Sequence, residues 1–175
     1  MRSVILFLAI AYSGLAIAQP TQIVEDKHVG FRLTIPKNWT WQKRQDDVFI
    51  NCAPDKNENG RPGCWFTIRK ISAPPDQRTI TDADRTKWKG WISANGMRPI
   101  LSARDLRIAG FPAYEIVAKI GTYRTAGRER RVMILIPGKG KVFDSWFLAE
   151  WGDKDYYDQY NPAFGAALET LVPLP

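Results

Sequence analysis

Apolar residues alternate along most of this chain, and the alternation marks out a run of β-strands. Phe31 to Ile35 reads Phe, Arg, Leu, Thr, Ile and stops at Pro36, which has no N–H to give a ladder. Trp39 to Trp41 is a short strand with one aromatic face. Val48 to Ala53 and Trp65 to Ile71 follow as a pair, joined by a linker from Pro54 to Gly63 that is dense in Asp, Asn, Gly and Pro, the turn formers. Pro99 to Ile108 leads through the tight turn Ala109-Gly110 into Phe111 to Ile120. Arg130 to Ile136 and Lys141 to Glu150 complete the set, while Gln19 to Gly30 reads as a polar lead-in.

Two segments switch to helical spacing. Thr81 followed by Asp84 resembles a capping box, and Trp88, Trp91 and Ile92 form one apolar stripe, which predicts a helix from Asp82 to Asn95 ended by Gly96. Gly90 lies inside it, either tolerated by packing or needed for a close approach. A second helix is predicted from an Asn161 N-cap and Pro162 at its first position, through Phe164, Ala167, Leu168, Leu171 and Val172, to Pro173.

The strands Arg130 to Ile136 and Lys141 to Glu150 are apolar on both faces at their centres, so both faces must be covered. The expected fold class is therefore α+β: a single-domain α/β/α sandwich around a mainly antiparallel sheet of six or seven strands. A length of 175 residues suits one domain with a proper core.

The N-terminus changes the picture of where this domain works. Arg2, the apolar run Val4 to Tyr12, the break at Ser13-Gly14 and the small-x-small site Ala16-Ile17-Ala18 read as a secretory signal peptide over residues 1–18. The mature domain then spans 19–175, periplasmic or secreted, with no membrane span expected after cleavage. In an oxidising compartment Cys52 and Cys64 are expected to form a disulfide, closing a loop of about a dozen residues that adds about 3 kcal/mol in the chain-entropy model. A formal charge of +7 favours anionic partners, and outside the cytoplasm these are lipid head groups, acidic polysaccharides and acidic proteins, with nucleic acid not expected.

The order of elements resembles the PsbP/DcrB-like family. G-F-R-L-T-I-P-K-N-W, Gly30 to Trp39, is similar to the family's strand ending in proline with a following tryptophan. G-F-P-A-Y, Gly110 to Tyr114, is similar to its turn between paired strands. The resemblance spans nearly all of the mature chain and implies an α/β/α sandwich. It also implies a non-catalytic role, because family members are mostly accessory subunits, regulators, chaperones and exported proteins.

Three groups of residues are candidates for binding. Arg124, Arg128, Arg130 and Arg131, with Lys139 and Lys141 nearby, form a basic hairpin suited to carboxylates or phosphates, although alternation sends Arg130 and Arg131 to opposite faces. Trp151, Tyr156, Tyr157 and Tyr160 precede the last helix and either rim a binding face or close the core. Asp55, Asn57 and Asn59 match the first half of a calcium loop, but its twelfth position is Phe66 where a bidentate acid belongs, so a polar hairpin loop with no cofactor is the expectation.

Catalysis finds little footing. His28 is the only histidine, and no G-x-S-x-G, H-E-x-x-H or phosphate loop occurs. No catalytic residue is assigned. The expectation is an exported binding or accessory protein whose partner is another protein. A binder of an anionic envelope component is the alternative, and a carboxylate-dependent hydrolase the third reading.

Overall fold

The computed structural model describes residues 20–52, 63–94, 99–122, 125–150 and 156–175. Among them the chain runs β1 (Thr21–Asp26), β2 (Phe31–Pro36), β3 (Thr40–Lys43), β4 (Asp47–Asn51), β5 (Cys64–Ser72), α1 (Asp82–Ala94), β6 (Ile100–Ile108), β7 (Phe111–Thr122), β8 (Thr125–Ile136), β9 (Lys141–Glu150), α2 (Tyr156–Glu169) and β10 (Val172–Pro173). Seven strands form the main sheet in the order β3-β4-β5-β9-β8-β7-β6, and β1-β2-β10 form a small one. Every pairing is antiparallel. The molecule is the expected α+β sandwich.

One face of the main sheet carries the larger core. Phe66, Ile68, Val132, Ile134, Phe143 and Phe147 point from it into a core closed by Phe164 and Leu168 of α2 and by Phe31, Leu33 and Ile35 of the small sheet. Rings lock the layers together: Phe147 stacks on Phe164 at 4.8 Å, and Phe31 meets Phe143 edge-on at 6.0 Å. The other face is covered only in part. Trp88 and Ile92 of α1 form one apolar cluster with Tyr114, Ile116, Ala118, Met133 and Leu135 of β7 and β8 and with Val142 of β9.

Three expectations need correction. The polar lead-in holds strand β1, paired Val24 to Leu33 and Asp26 to Phe31. Its alternation is hidden because only Val24 and Asp26 turn fully inward while Ile23 is 63% exposed. Asp26 is a buried acid that accepts the Val29 N–H at 2.8 Å and pairs with Lys43 at 3.2 Å. The last helix starts at Tyr156, five residues before the predicted cap, and carries Pro162 inside it. Burying Tyr156 and Tyr157 outweighs the lost donor. That helix also ends earlier than its apolar spacing suggests, at Glu169. Val172 and Pro173 instead extend the small sheet beside Arg32 and Phe31, and Leu174 donates its N–H to Gly30 at 2.8 Å.

The first helix starts as its capping signal predicts. Asp84 donates its N–H to Thr81 Oγ1 at 3.2 Å, and Thr81 returns its own N–H to Asp84 Oδ2 at 2.9 Å. A β-carbon added at Gly90 would meet nothing within 4 Å, so no close approach demands glycine there. Gly90→Ala should therefore raise stability by about 1 kcal/mol through helix propensity alone. A higher urea midpoint at unchanged slope is the expected reading; a lower midpoint would show a contact the geometry lacks.

Candidate functional site

Strand pairing lays residues of the partly covered face in rows across the sheet. Asp47 lies beside Arg69, which lies beside Asp144, then Met133, then Tyr114. The next row runs Phe49, Thr67, Trp146, Arg131, Ile116, and the one after it Asn51, Trp65, Leu148, Glu129, Ala118. Each row starts polar or aromatic on β4 and β5 and ends apolar on β7. The change falls at β8 and β9. Helix α1 packs on the apolar half, and among the described residues no element covers the other half.

The open half holds a cavity of about 250 Å³, lined by Arg44, Asp47, Trp65, Thr67, Arg69, Glu129, Arg131, Asp144 and Trp146 of the sheet side and by Trp91 and Ile92 of α1. Its floor is a buried charge network. Asp144 is 1% exposed and accepts Arg131 Nε at 2.8 Å on Oδ1 and Arg131 Nη2 at 2.6 Å on Oδ2. The same Oδ2 accepts Arg69 Nε at 2.7 Å. Fork-to-fork pairing of this kind fixes both geometry and charge. Beside it, Trp146 Nε1 donates to Glu129 Oε2 at 2.8 Å.

The walls are aromatic. Trp65 meets Trp146 edge-on at 5.2 Å and Phe49 at 5.5 Å, and the Arg44 guanidinium lies over Phe49 at 4.0 Å. Arg131 lies 5.3 Å from the Trp91 ring, tying α1 to the floor. The described lining contains no histidine, cysteine or serine. Both Asp144 oxygens accept guanidinium N–H groups, which fixes this carboxylate in place. The arrangement offers flat apolar surfaces, fixed donors and fixed acceptors. It binds.

Of the described residues singled out from sequence as binding candidates, only Arg131 lines this cavity. Arg130 points to the opposite face, bonded to Glu115 and, at 2.9 Å, to Asn161 Oδ1 of α2. Arg128 shares that face, paired with Asp158 at 2.8 Å and set over Tyr157 at 4.4 Å. The hairpin arginines thus serve two faces and meet carboxylates on both. Tyr156 and Tyr157 are core residues, and Tyr160 is half-buried and stacked on Tyr156 at 6.2 Å. A β-carbon at Gly63 would come within 2.6 Å of the Tyr156 ring, so glycine there makes room for that packing. Burial raises the Tyr157 phenol above its ordinary value of 10.0, with Arg130 working against the rise. Arg124, Trp151 and the calcium-loop positions Asp55, Asn57 and Asn59 fall outside the described residues.

Cys52 and Cys64 are both buried and free in this structure, with the Cys52 N–H donating to the Cys64 carbonyl at 3.0 Å. Burial, then the hydrogen bond to Cys64, pushes the Cys52 thiol well above its ordinary value, so little thiolate forms in the folded protein. Among the described residues no three His, Cys, Asp or Glu side chains converge as a metal site, and no helix is long and apolar enough to cross a membrane.

The cavity residues were readable in part from the sequence. Trp65, Thr67 and Arg69 alternate to one face of their strand, as Asp144 and Trp146 do on theirs. What hid them was the pairing that brings these two strands side by side.

No family model matches the chain, and no curated protein sequence does. Solved structures do match. The Ran-binding protein Mog1p of Saccharomyces cerevisiae aligns over 90% of this chain and 97% of its own at TM-score 0.57 and 9% identity. LpqN of Mycobacterium tuberculosis, involved in cell envelope biogenesis, aligns over 89% and 91% at TM-score 0.55 and 16% identity. PA94 of Pseudomonas aeruginosa, a protein of unknown function, aligns over 89% and 98% at TM-score 0.53 and 18% identity. The chain also spans 45% of the length of a longer Bacteroides thetaiotaomicron protein, at TM-score 0.55 and 14% identity. At these identities the likeness shows the fold alone: the chain shares the α+β sandwich of these structures.

The floor network makes a stability prediction. Arg131→Met strips Asp144 of its bidentate partner and should cost about 3 kcal/mol, at the low end for a broken buried pair because Arg69 remains. Adding Asp144→Leu should recover much of that loss in chemical denaturation. A double variant no more stable than Arg131→Met would show that the apolar replacement does not fill the site.

Proposed function

We propose that this chain is a non-catalytic binding or accessory protein, exported from the cytoplasm, that meets another protein on the open half of its main sheet. The observation that carries the reading is the row pattern, in which one sheet face changes from an apolar half under α1 to an uncovered half of tryptophans and arginines around a cavity. Tryptophan and arginine are the residues most enriched where partners anchor. The structural neighbours support a binding role, since one is described as Ran-binding and another as involved in envelope biogenesis.

Charge favours a protein partner over a purely anionic envelope component. Arg128, Arg130 and Arg131 are held by Asp158, Glu115 and Asp144, and the cavity sets three guanidiniums against three carboxylates. A surface so balanced gives little net attraction to an anionic lipid or polysaccharide and supplies the mixed complementarity of a protein interface. Export rests on the signal-peptide pattern of residues 1–18.

Affinity capture from envelope extract tests the surface. Immobilised protein should retain one stoichiometric protein partner that Trp65→Ala fails to retain; an identical captured set for both baits removes the open face from consideration. Export also implies oxidation of Cys52 and Cys64 by a disulfide-exchanging partner as the chain folds, since the folded thiols are too buried to react readily. Material recovered from outside the cytoplasm, denatured without reductant and treated with a thiol alkylator, should take up no label. Labelling of both cysteines in such material would rule the bridge out.

A further inference from the structure

The cavity is built for a narrower class of ligand than a general interface requires, and we propose that it takes a single ring of an uncharged sugar. The inference rests on the reading of the open face as the binding surface and adds the chemistry of what enters it.

Size comes first. At about 250 Å³ the cavity lies below the roughly 300–1,000 Å³ of clefts that enclose drug-sized ligands, which suits one six-membered ring. Charge comes next. Arg44, Arg69 and Arg131 face Asp47, Glu129 and Asp144, so the lining attracts neither an anion nor a cation. The ligand that fits such a lining is polar without being charged.

Hydrogen-bond geometry narrows the class further. The charged groups lining the cavity are planar forks, guanidinium or carboxylate, with two parallel donors or two parallel acceptors. Neighbouring hydroxyls on a pyranose ring present the complementary pair, one donating and one accepting. Arg69 commits its Nε to Asp144, lines the cavity and is 46% exposed as a side chain. Arg44 has no carboxylate partner among the described residues, and its guanidinium is held flat over Phe49 at 4.0 Å. Asp47 keeps one carboxylate oxygen, Oδ1, without a donor among the described residues.

The walls supply the remaining requirement. Trp65, Trp91 and Trp146 line the cavity, and indole surfaces match the C–H faces of a sugar ring, which are its apolar sides. The floor is pre-organised: Glu129, Arg131, Asp144 and Thr67 are all more than nine-tenths buried and do not need to be ordered on binding. A purely protein contact would use the tryptophans, but it would not call for a buried floor of balanced forks beneath them.

Tryptophan emission reads the test directly, on the full mature chain. Methyl glucoside, methyl galactoside and N-acetylglucosamine are titrated at millimolar concentration, with a glycan array to extend the range and glucuronate as the anionic comparison. The expected result is a saturable change with at least one neutral sugar, insensitive to added salt. That response should weaken about tenfold or more in Trp65→Ala and in the rim variant Arg44→Ala, and stay unchanged in Arg104→Ala on the opposite face. Silence across all neutral sugars overturns the proposal, as does a response to glucuronate alone that salt abolishes. A response that survives both cavity variants also overturns it. If sugars fail while protein capture still depends on Trp65, the ligand class falls and the binding surface stands; if capture also loses that dependence, both fall.

Discussion

A carboxylate 1% exposed in the middle of a β-sheet is the constraint on which the rest of this structure turns. Asp144 lies on β9, the central strand of the main sheet, flanked by β5 and β8. Burying that charge unpaired would be prohibitively costly, so both neighbouring strands supply a guanidinium to it, Arg69 from one side and Arg131 from the other. Two long cations lying across the sheet make its surface polar for three strands. An apolar helix cannot dock there, and α1 packs instead on β7 and β8, where Tyr114, Ile116, Met133 and Leu135 offer it an apolar bed. The cavity is what remains between the helix edge and the ion network.

The opposite face meets the same problem with a different outcome. Glu115 is 3% exposed and is likewise held by two arginines, Arg104 and Arg130. Here Arg130 also reaches Asn161 and lies over Phe164 of α2, so the network is knitted into the covering layer. Adjacent residues on one strand, Arg130 and Arg131, thus anchor two carboxylates on two faces. One network is knitted to α2 through Asn161 and Phe164, and the other meets α1 only at its edge, where Arg131 lies by Trp91.

This division bears on what the protein does. On the opposite face an aromatic stack runs from Trp39 through Phe66 to Phe164 and Phe147, and a cavity of about 370 Å³ lies beside it, lined by Ser102, Arg104, Glu115, Val117, Arg130, Tyr157 and Asn161. Around the open cavity Asp144 is engaged by arginine and Glu129 by an indole donor, Asp47 Oδ1 has no donor among the described residues, and the described lining contains no histidine. Rigid donors, rigid acceptors and aromatic walls are the features on which the proposed binding role rests.

The sequence by itself determined most of the local structure. Alternation placed the long strands, Thr81 and Asp84 marked where α1 begins, and the apolar centres of β8 and β9 required layers on both sides of the sheet. It missed β1, because a strand with one inward apolar residue, Val24, carries almost no periodic signal. It started α2 too late, because Asn161-Pro162 is a strong local signal that the burial of Tyr156 and Tyr157 overrides. Only the tertiary structure decided where the site is. Trp65 and Trp146 are far apart in the chain, and so are Arg69 and Asp144; the antiparallel register of β5 on β9 makes them neighbours. Alternation tells which face of its own strand a residue takes, but strand order decides whose residues share that face. The arginines that stood out as a cluster in the sequence were divided between two faces, and the cavity was assembled from residues that had looked unrelated.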